Sequence, residues 1–517
     1  MWRLLGIPDG ASKVSPPLVP GAAWLLVGVG LLLRLLWFTG PVGSDDVRYL
    51  DAGTEILRTG ALSGIDHAAG RLLFVVTAAA ARLRGGHPGW AAALSVFWSV
   101  LADGLMVYFA AKHLGRAAAV WAAAIASTQP IAVAYSGMIL PDTLLAALLV
   151  LGVVLLHAAW RGPTRHARAL MGFAAGLLFG LAYQAKEPAL LALPPAGLVV
   201  ALFRATGERR PTQEILSDGV LLAGMVGLGA AVMFVIDGAI YWHLSGDFLY
   251  KFTATRVRYN DLVSSSASLP AHLWQGAQVF VGALGRFTWT SAVLAVGLPA
   301  MLIAVFQRGP LRLVGSIGSF FLLYIVFGSS SFTKLVPLPF QDRYLLPLIP
   351  FAALCIAGLV VRAPKRLGSH TLIGPALVAA LHLHWSASIV APRAGNLYFA
   401  RYCQGVSMVA ELMREQDVIL YGDYRTVLCA NEFVRPGLRS KIKRIPKQGP
   451  LPPGLYMIHP RGVRHLGESR AADVRAQPLW GDAGFSDAAF EPLGWARPED
   501  ASHVPVYVVR EPNGAQP

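Results

Sequence analysis

The feature that most constrains this chain is a succession of apolar runs, most near 20 residues long, separated by short polar segments. A helix rises about 1.5 Å per residue, so about 20 residues cross the roughly 30 Å hydrocarbon core of a bilayer. Eleven such runs can be read: Gly21–Phe38, Trp90–Ala111, Ala117–Tyr135, Thr143–Trp160, Leu170–Tyr183, Ala189–Phe203, Val220–Trp242, Trp289–Phe306, Leu313–Phe327, Tyr344–Val361 and Leu372–Val390. Composition agrees: 55% of residues are hydrophobic and 14% charged, against about 25% charged in a soluble domain. An ordinary soluble enzyme is excluded. The first run follows a mildly basic head with Arg3 and Lys13 and has no small-residue cleavage site after it, so it reads as a retained anchor.

Lys and Arg number 44 against 29 Asp and Glu, a formal charge of +15. The basic residues fall between apolar runs and form no stripe interleaved with aromatics, so no nucleic-acid partner is expected. They also alternate. Lys112 and Arg116, Arg161, Arg165 and Arg168, Arg204, Arg209 and Arg210, Arg308 and Arg312, and Arg362, Lys365 and Arg366 occupy every second connection, which the positive-inside rule makes cytoplasmic. The other connections hold Asp45, Asp46, Asp51, Glu55, Asp66, Asp142, Glu187, Asp247, Asp261 and Asp342. With the N-terminus cytoplasmic and eleven spans, the C-terminus is expected outside.

Two outer loops are long, 39–89 and 243–288. The first contains Val47–Thr59 and Leu72–Leu83, which suit helices lying along the interface; the second contains the polar run Ser264–Ser268, read as a flexible segment. From 392 to 517 the composition turns polar, which predicts a small extracytoplasmic α/β domain beside a membrane module of residues 1–391. Val406–Met413 reads as helix, and Asp417–Tyr421, Leu455–Ile458 and Val504–Val509 read as strands. Three cysteines are too few for a disulfide framework or a Cys-based metal site. Cys355 reads as a small buried residue; Cys403 and Cys429 lie in the region expected outside the cytoplasm, where a single disulfide can form if the two are close enough to bridge, which the sequence does not show.

The polar residues at the outer face carry the chemistry. Asp45 and Asp46 are adjacent carboxylates; their repulsion can raise one pKa and fit it to take a proton from a hydroxyl, or both can oppose the dipole of a helix capped by Ser44. Asp142, after Pro141, suits a helix first turn or an acceptor or metal site. Lys186 and Glu187 lie in a tight hairpin, where Lys186 can meet a lipid phosphate or pair as a snorkelling cation. Arg256, Arg258 and Tyr259, following Lys251, can bind anionic lipid or phosphate, and a solvated loop explains them equally. Gln341-Asp342-Arg343-Tyr344, seven residues after Lys334, puts an Arg where it can hold a phosphate by two parallel hydrogen bonds. His67, beside Asp66, reads as an exposed polar pair. Arg34, Asp103 and Asp237 lie within apolar runs and must face the bundle or a watery cavity.

The acidic pair after the first span, amphipathic helices in a long first outer loop, Pro141-Asp142, Lys186-Glu187-Pro188 and Arg343-Tyr344-Leu345-Leu346-Pro347 occur in an order that resembles the GT-C glycosyltransferases, in the branch of protein O-mannosyltransferases and lipid A aminoarabinose transferases. The resemblance covers Gly21 to Val361. It implies an all-α polytopic bundle of the bacterial plasma membrane that transfers a sugar from a polyprenyl-phosphate donor to an extracytoplasmic protein, lipid or glycan acceptor, with inversion. It implies Asp45, or Asp46, as general base, Asp142 positioning the acceptor, and Lys186 and Arg343, with Arg256 and Arg258, on the donor phosphate; Glu187, Tyr344 and His67 join the substrate-binding set. No tightly bound cofactor is expected, and a divalent cation is compatible. The chain departs from the family at Asp66-His67-Ala68-Ala69-Gly70, where His-Pro-Pro is usual. The rival reading is a transporter or lipid-linked-sugar flippase, with charges near midplane on broken helices; Arg34, Asp103 and Asp237 support it.

Overall fold

A computed structural model describes residues 19–40, 45–62, 64, 67–86, 88–196, 212–262, 268–285, 293–307, 309–328, 342–362 and 373–390, and in the C-terminal part 403, 406–407, 409–411, 414, 418–423, 426–427, 429–430, 434, 436–446, 449–457, 468–476 and 506–509. The chain divides into two compact units, residues 1–40 with 48–394, and residues 41–47 with 395–517.

The first unit is helical and belongs to a multi-pass membrane protein. Among the described residues five helices are long and apolar enough to cross a bilayer: Gly89–His113, Pro141–Trp160, Ser217–Ser245, Pro310–Phe327 and Arg343–Arg362. Arg116–Ser127 and Pro130–Ser136 count as a sixth span bent by 53°. The sequence presents eleven apolar runs, and the difference has local causes. Pro130 has no N–H to continue the preceding helix. The helix stops at Ser127, and the Gln129 side chain accepts from Ile131 N at 2.8 Å to cap the next helix. The run from Ala189 opens inside a 3-10 turn, Glu187–Ala192, and its later part lies outside the described residues, as does the start of the run at Trp289. In the last run the α-helix covers only Ile373–Trp385 before a wider turn, Ser386–Val390.

The bend explains two of the buried charges. Arg34, 0% exposed, donates to Ser127 O at 2.8 Å, to Ser99 Oγ at 3.1 Å and to Asp103 Oδ2 at 2.8 Å. A guanidinium thus closes the carbonyl end of the broken helix, where the helix dipole is negative, and Asp103 neutralises it.

Helices Arg165–Ala185 and Thr212–Ser245 pack closely because glycines face each other: a Cβ on Gly176 would strike the Val226 carbonyl, and one on Gly229 the Phe173 carbonyl. In the first outer loop helices form at Asp45–Thr59 and Leu72–Gly85, at the two stretches expected from their apolar positions. The segment 263–267, most of the expected flexible run, lies outside the described residues.

In the second unit four strands, β1 (Leu420–Gly422), β2 (Ile442–Arg444), β3 (Gly454–Met457) and β4 (Val506–Val509), form a sheet of order β2-β1-β3-β4. β1 runs parallel to β2 and β3, and β4 is antiparallel to β3. Tyr421 and Tyr456, opposite each other in register, stack with ring centroids 5.1 Å apart over a core that includes Ile445 and Val474. β2 is not among the expected strands, being only three residues long with Lys443 and Arg444 exposed. Cys403 and Cys429 form a disulfide across 26 residues, and Cys355 is buried and free.

Candidate active site

The site forms where helix ends meet two outer loops, all within the first unit. Helix Pro141–Trp160 starts with Pro141, whose ring presets the first turn, and Asp142 follows at 1% exposure. Helix Arg165–Ala185 ends at Lys186, whose extended backbone turns the chain into Glu187–Ala192. Lys186 Nζ reaches Asp142 Oδ1 at 2.5 Å, and the same ammonium lies 4.3 Å from the centroid of the Tyr344 ring. The Arg343 guanidinium stands 5.6 Å from that ring on the turn Asp342–Leu348. Asp142, Lys186, Arg343 and Tyr344, four residues from three separate apolar-run ends, are therefore one cluster.

Two further cations complete it, and the sequence reading assigned neither a role. Arg71 follows the turn 67–70, closed by Gly70 N to His67 O at 3.2 Å. It hydrogen-bonds the Tyr49 hydroxyl and lies over the Tyr49 ring. Lys251, 2% exposed, donates to the Tyr183 carbonyl and sits 3.9 Å from the centroid of the Tyr183 ring. Glu187 lies among them, accepting from Thr255 Oγ1 at 3.4 Å and feeling the charges of Arg71, Lys251 and Lys186.

The electrostatics follow from this crowding. Burial pushes the Lys186 ammonium down to about 8, with Arg71 and Arg343 adding to the fall while Asp142 opposes it. Lys251 is lowered by burial also, against Glu187 and Asp237, which hold its proton. Burial alone would raise the Glu187 carboxyl, but Arg71, Lys251 and Lys186 outweigh it and keep it below the ordinary carboxylate value. Four cations, Arg71, Lys186, Lys251 and Arg343, face three carboxylates, Asp142, Glu187 and Asp237, and a further anion would relieve the repulsion among Arg71, Lys186 and Arg343.

The loops are fixed by paired tyrosines. Tyr241 and Tyr250 stack with centroids 5.1 Å apart; Tyr241 donates to Ala69 O at 2.7 Å and Tyr250 to Gly64 O at 2.8 Å. They tie the end of helix Thr212–Ser245 and the start of the second long loop to the segment that carries His67 and Arg71. His67, expected as an exposed polar residue, is instead buried at 9% exposure, because the tyrosines draw its turn against the helices. Asp66 lies outside the described residues, as do Lys334 and Gln341 and the side chains of Arg256, Arg258, Tyr259 and Asp342; Arg256, Arg258 and Tyr259 lie on helix Tyr250–Leu262.

Asp45 and Asp46 open helix Asp45–Thr59, both in its first turn, with Asp46 2% exposed. That is the placement in which carboxylates oppose the helix dipole; the two residues group with the second unit. Among the described residues no three His, Cys, Asp or Glu are grouped to hold a metal ion.

Residues 71–243 match the family of dolichyl-phosphate-mannose-protein mannosyltransferases, a stretch that includes Arg71, Asp142, Lys186, Glu187 and Asp237. The chain is similar in fold to ArnT from Cupriavidus metallidurans bound to undecaprenyl phosphate, with a TM-score of 0.53 at 14% identity over 96% of this chain and 100% of that one. Its fold is that of the GT-C glycosyltransferase superfamily. The apo state of the same ArnT gives a TM-score of 0.54 at 14% identity, covering 94% of this chain and 97% of that one. The oligosaccharyltransferase of Archaeoglobus fulgidus, in complex with Zn and sulfate, gives 0.52 at 11% identity, over 82% of this chain and 62% of that one. No curated protein sequence matches this chain.

Proposed function

We propose that the protein is a membrane glycosyltransferase that moves a sugar from a polyprenyl-phosphate donor to a protein, lipid or glycan acceptor outside the cytoplasm of a bacterium. The observation that carries this reading is the convergence of Arg71, Lys186, Lys251 and Arg343 on one place in a chain with a GT-C fold. The likeness to an ArnT that binds undecaprenyl phosphate supports the lipid class of the donor.

A polyprenyl-phosphate sugar is a phosphodiester with one negative charge, and the released polyprenyl phosphate carries about two at neutral pH. Charge on the phosphate therefore grows as the bond from the anomeric carbon to the phosphate oxygen breaks, and the electron pair leaves with that oxygen. Cations already in place interact more strongly with this departing group than with the bound donor, which lowers the barrier. On the opposite face of the sugar the acceptor oxygen attacks the anomeric carbon and gives its proton to a carboxylate, so configuration inverts. In this reading Asp45 is that base, Asp142 positions the acceptor, and Lys186 and Arg343, with Arg256 and Arg258, hold the phosphate. Residues 1–391 form the membrane module, 392–517 an extracytoplasmic domain that selects the acceptor, and the N-terminus is cytoplasmic.

The transporter or flippase reading loses its main support, since Arg34 and Asp103 pair with each other at the helix bend. The test is Asp45→Asn in purified, correctly inserted protein: sugar transfer is abolished, whereas wild-type rates would remove Asp45 as the base.

A further inference from the structure

Among the described residues, Asp237 is a buried carboxylate inside an apolar run that belongs neither to the Arg34–Asp103 pair at the helix bend nor to the Asp142–Lys186 pair. It lies on helix Thr212–Ser245 at 3% exposure, and its Oδ1 has no hydrogen-bond partner among the described residues. A buried carboxylate oxygen left without a donor is costly, so such a position calls for a functional explanation. Its surroundings supply one. Phe234, Asp237 and Tyr241, three and four residues apart, share one helix face. Phe234 packs on Tyr183 at 5.9 Å between centroids, and Tyr241 stacks on Tyr250. The Asp237 charge is felt by Tyr183, Tyr241 and Lys251, which places it near one of the cluster's cations. An acceptor oxygen among aromatic rings, beside a cationic site for phosphate, is suited to a polyhydroxylated ring: the aromatic faces take its C–H surfaces and the carboxylate takes its hydroxyls.

We propose that Asp237 is a donor-sugar specificity residue, accepting a hydrogen bond from a hydroxyl of the sugar whose phosphate is held by the neighbouring cations. This rests on the glycosyltransferase reading above and adds the group that reads the sugar.

The experiment compares two probes on full-length protein in lipid nanodiscs: undecaprenyl phosphate, and undecaprenyl-phosphate-linked mannose, glucose, arabinose and 4-aminoarabinose. Wild type, Asp237→Asn, Asp237→Leu and Lys186→Met are titrated, with thermal unfolding recorded for each. The expected result is that both Asp237 variants bind undecaprenyl phosphate within about twofold of wild type but lose about tenfold or more for the preferred sugar-linked donor. Lys186→Met loses both. Equal loss of both probes in the Asp237 variants would overturn the proposal, since Asp237 would then only position Lys251. Unchanged binding of both would overturn it as well. If wild type binds neither probe, the glycosyltransferase reading fails and this proposal falls with it, an outcome distinct from the other two. A variant that fails to unfold cooperatively is replaced by Asp237→Ser, judged by the same ratio of the two affinities.

Discussion

At the scale of single residues, the account depends on Lys186. The ammonium is paired with Asp142 and faced by Tyr344, and burial brings its pKa down to about 8. Phosphate needs the protonated form, which is lost as pH rises through that value. The pH profile of kcat/KM, which reports groups of the free enzyme, is therefore expected to fall above about pH 8. In Lys186→Arg, whose guanidinium stays charged, that alkaline limb is expected to disappear whatever happens to the rate. A wild-type profile flat to pH 10 would show that Lys186 does not titrate in the catalytic range. Much of this cluster was legible in the sequence because Asp142, Lys186, Glu187 and Arg343 each stand at the end of an apolar run, where a charge has few places to go. Arg71 and Lys251 were not, because they sit inside long outer loops, where position along the chain says little about position in space. Tyr241 and Tyr250 decide it, and a stacked pair that ties two loops together leaves no periodic trace.

At the scale of elements, apolar runs announce helices reliably but do not announce breaks. The run Ala117–Tyr135 reads as one span, yet Gln129 and Pro130 divide it into two helices at 53°. Pro130 was visible in the sequence; the compensation for the break was not, because it comes from Arg34, 93 residues before Ser127. Arg34 and Asp103 then belong to the architecture of the bend. Asp103→Ala leaves a fully buried guanidinium without its counter-charge, a change that costs about 3–5 kcal/mol. A clear drop in the thermal unfolding midpoint is expected, with smaller loss in the Arg34→Met, Asp103→Leu double variant. Equal stability of Asp103→Ala and wild type would mean that the pair does not hold the bend. The short β2 strand escaped the sequence reading for a related reason: three residues with two exposed cations carry no alternation, and only pairing with β1 defines them.

At the scale of the whole molecule, the disulfide links chemistry to topology. Cys403 and Cys429 close a loop of 26 residues, and a crosslink over that length stabilises a fold by about 3–4 kcal/mol in the chain-entropy account. Reduction is expected to lower the unfolding midpoint of the C-terminal unit while leaving that of the helical unit in place; loss of both together would show that the two unfold as one. Disulfides persist in oxidising compartments, so the proposed extracytoplasmic placement of the C-terminal unit calls for this pair to stay oxidised. The central claim is that this molecule breaks the bond between a sugar and a polyprenyl phosphate. It is tested most directly by incubating the purified protein in lipid with each of a panel of polyprenyl-phosphate sugars and a membrane extract as the source of acceptor, and measuring free polyprenyl phosphate. Release is expected to depend on one sugar, on the extract and on Lys186. Movement of intact donor between leaflets, with no release from any sugar, would contradict it.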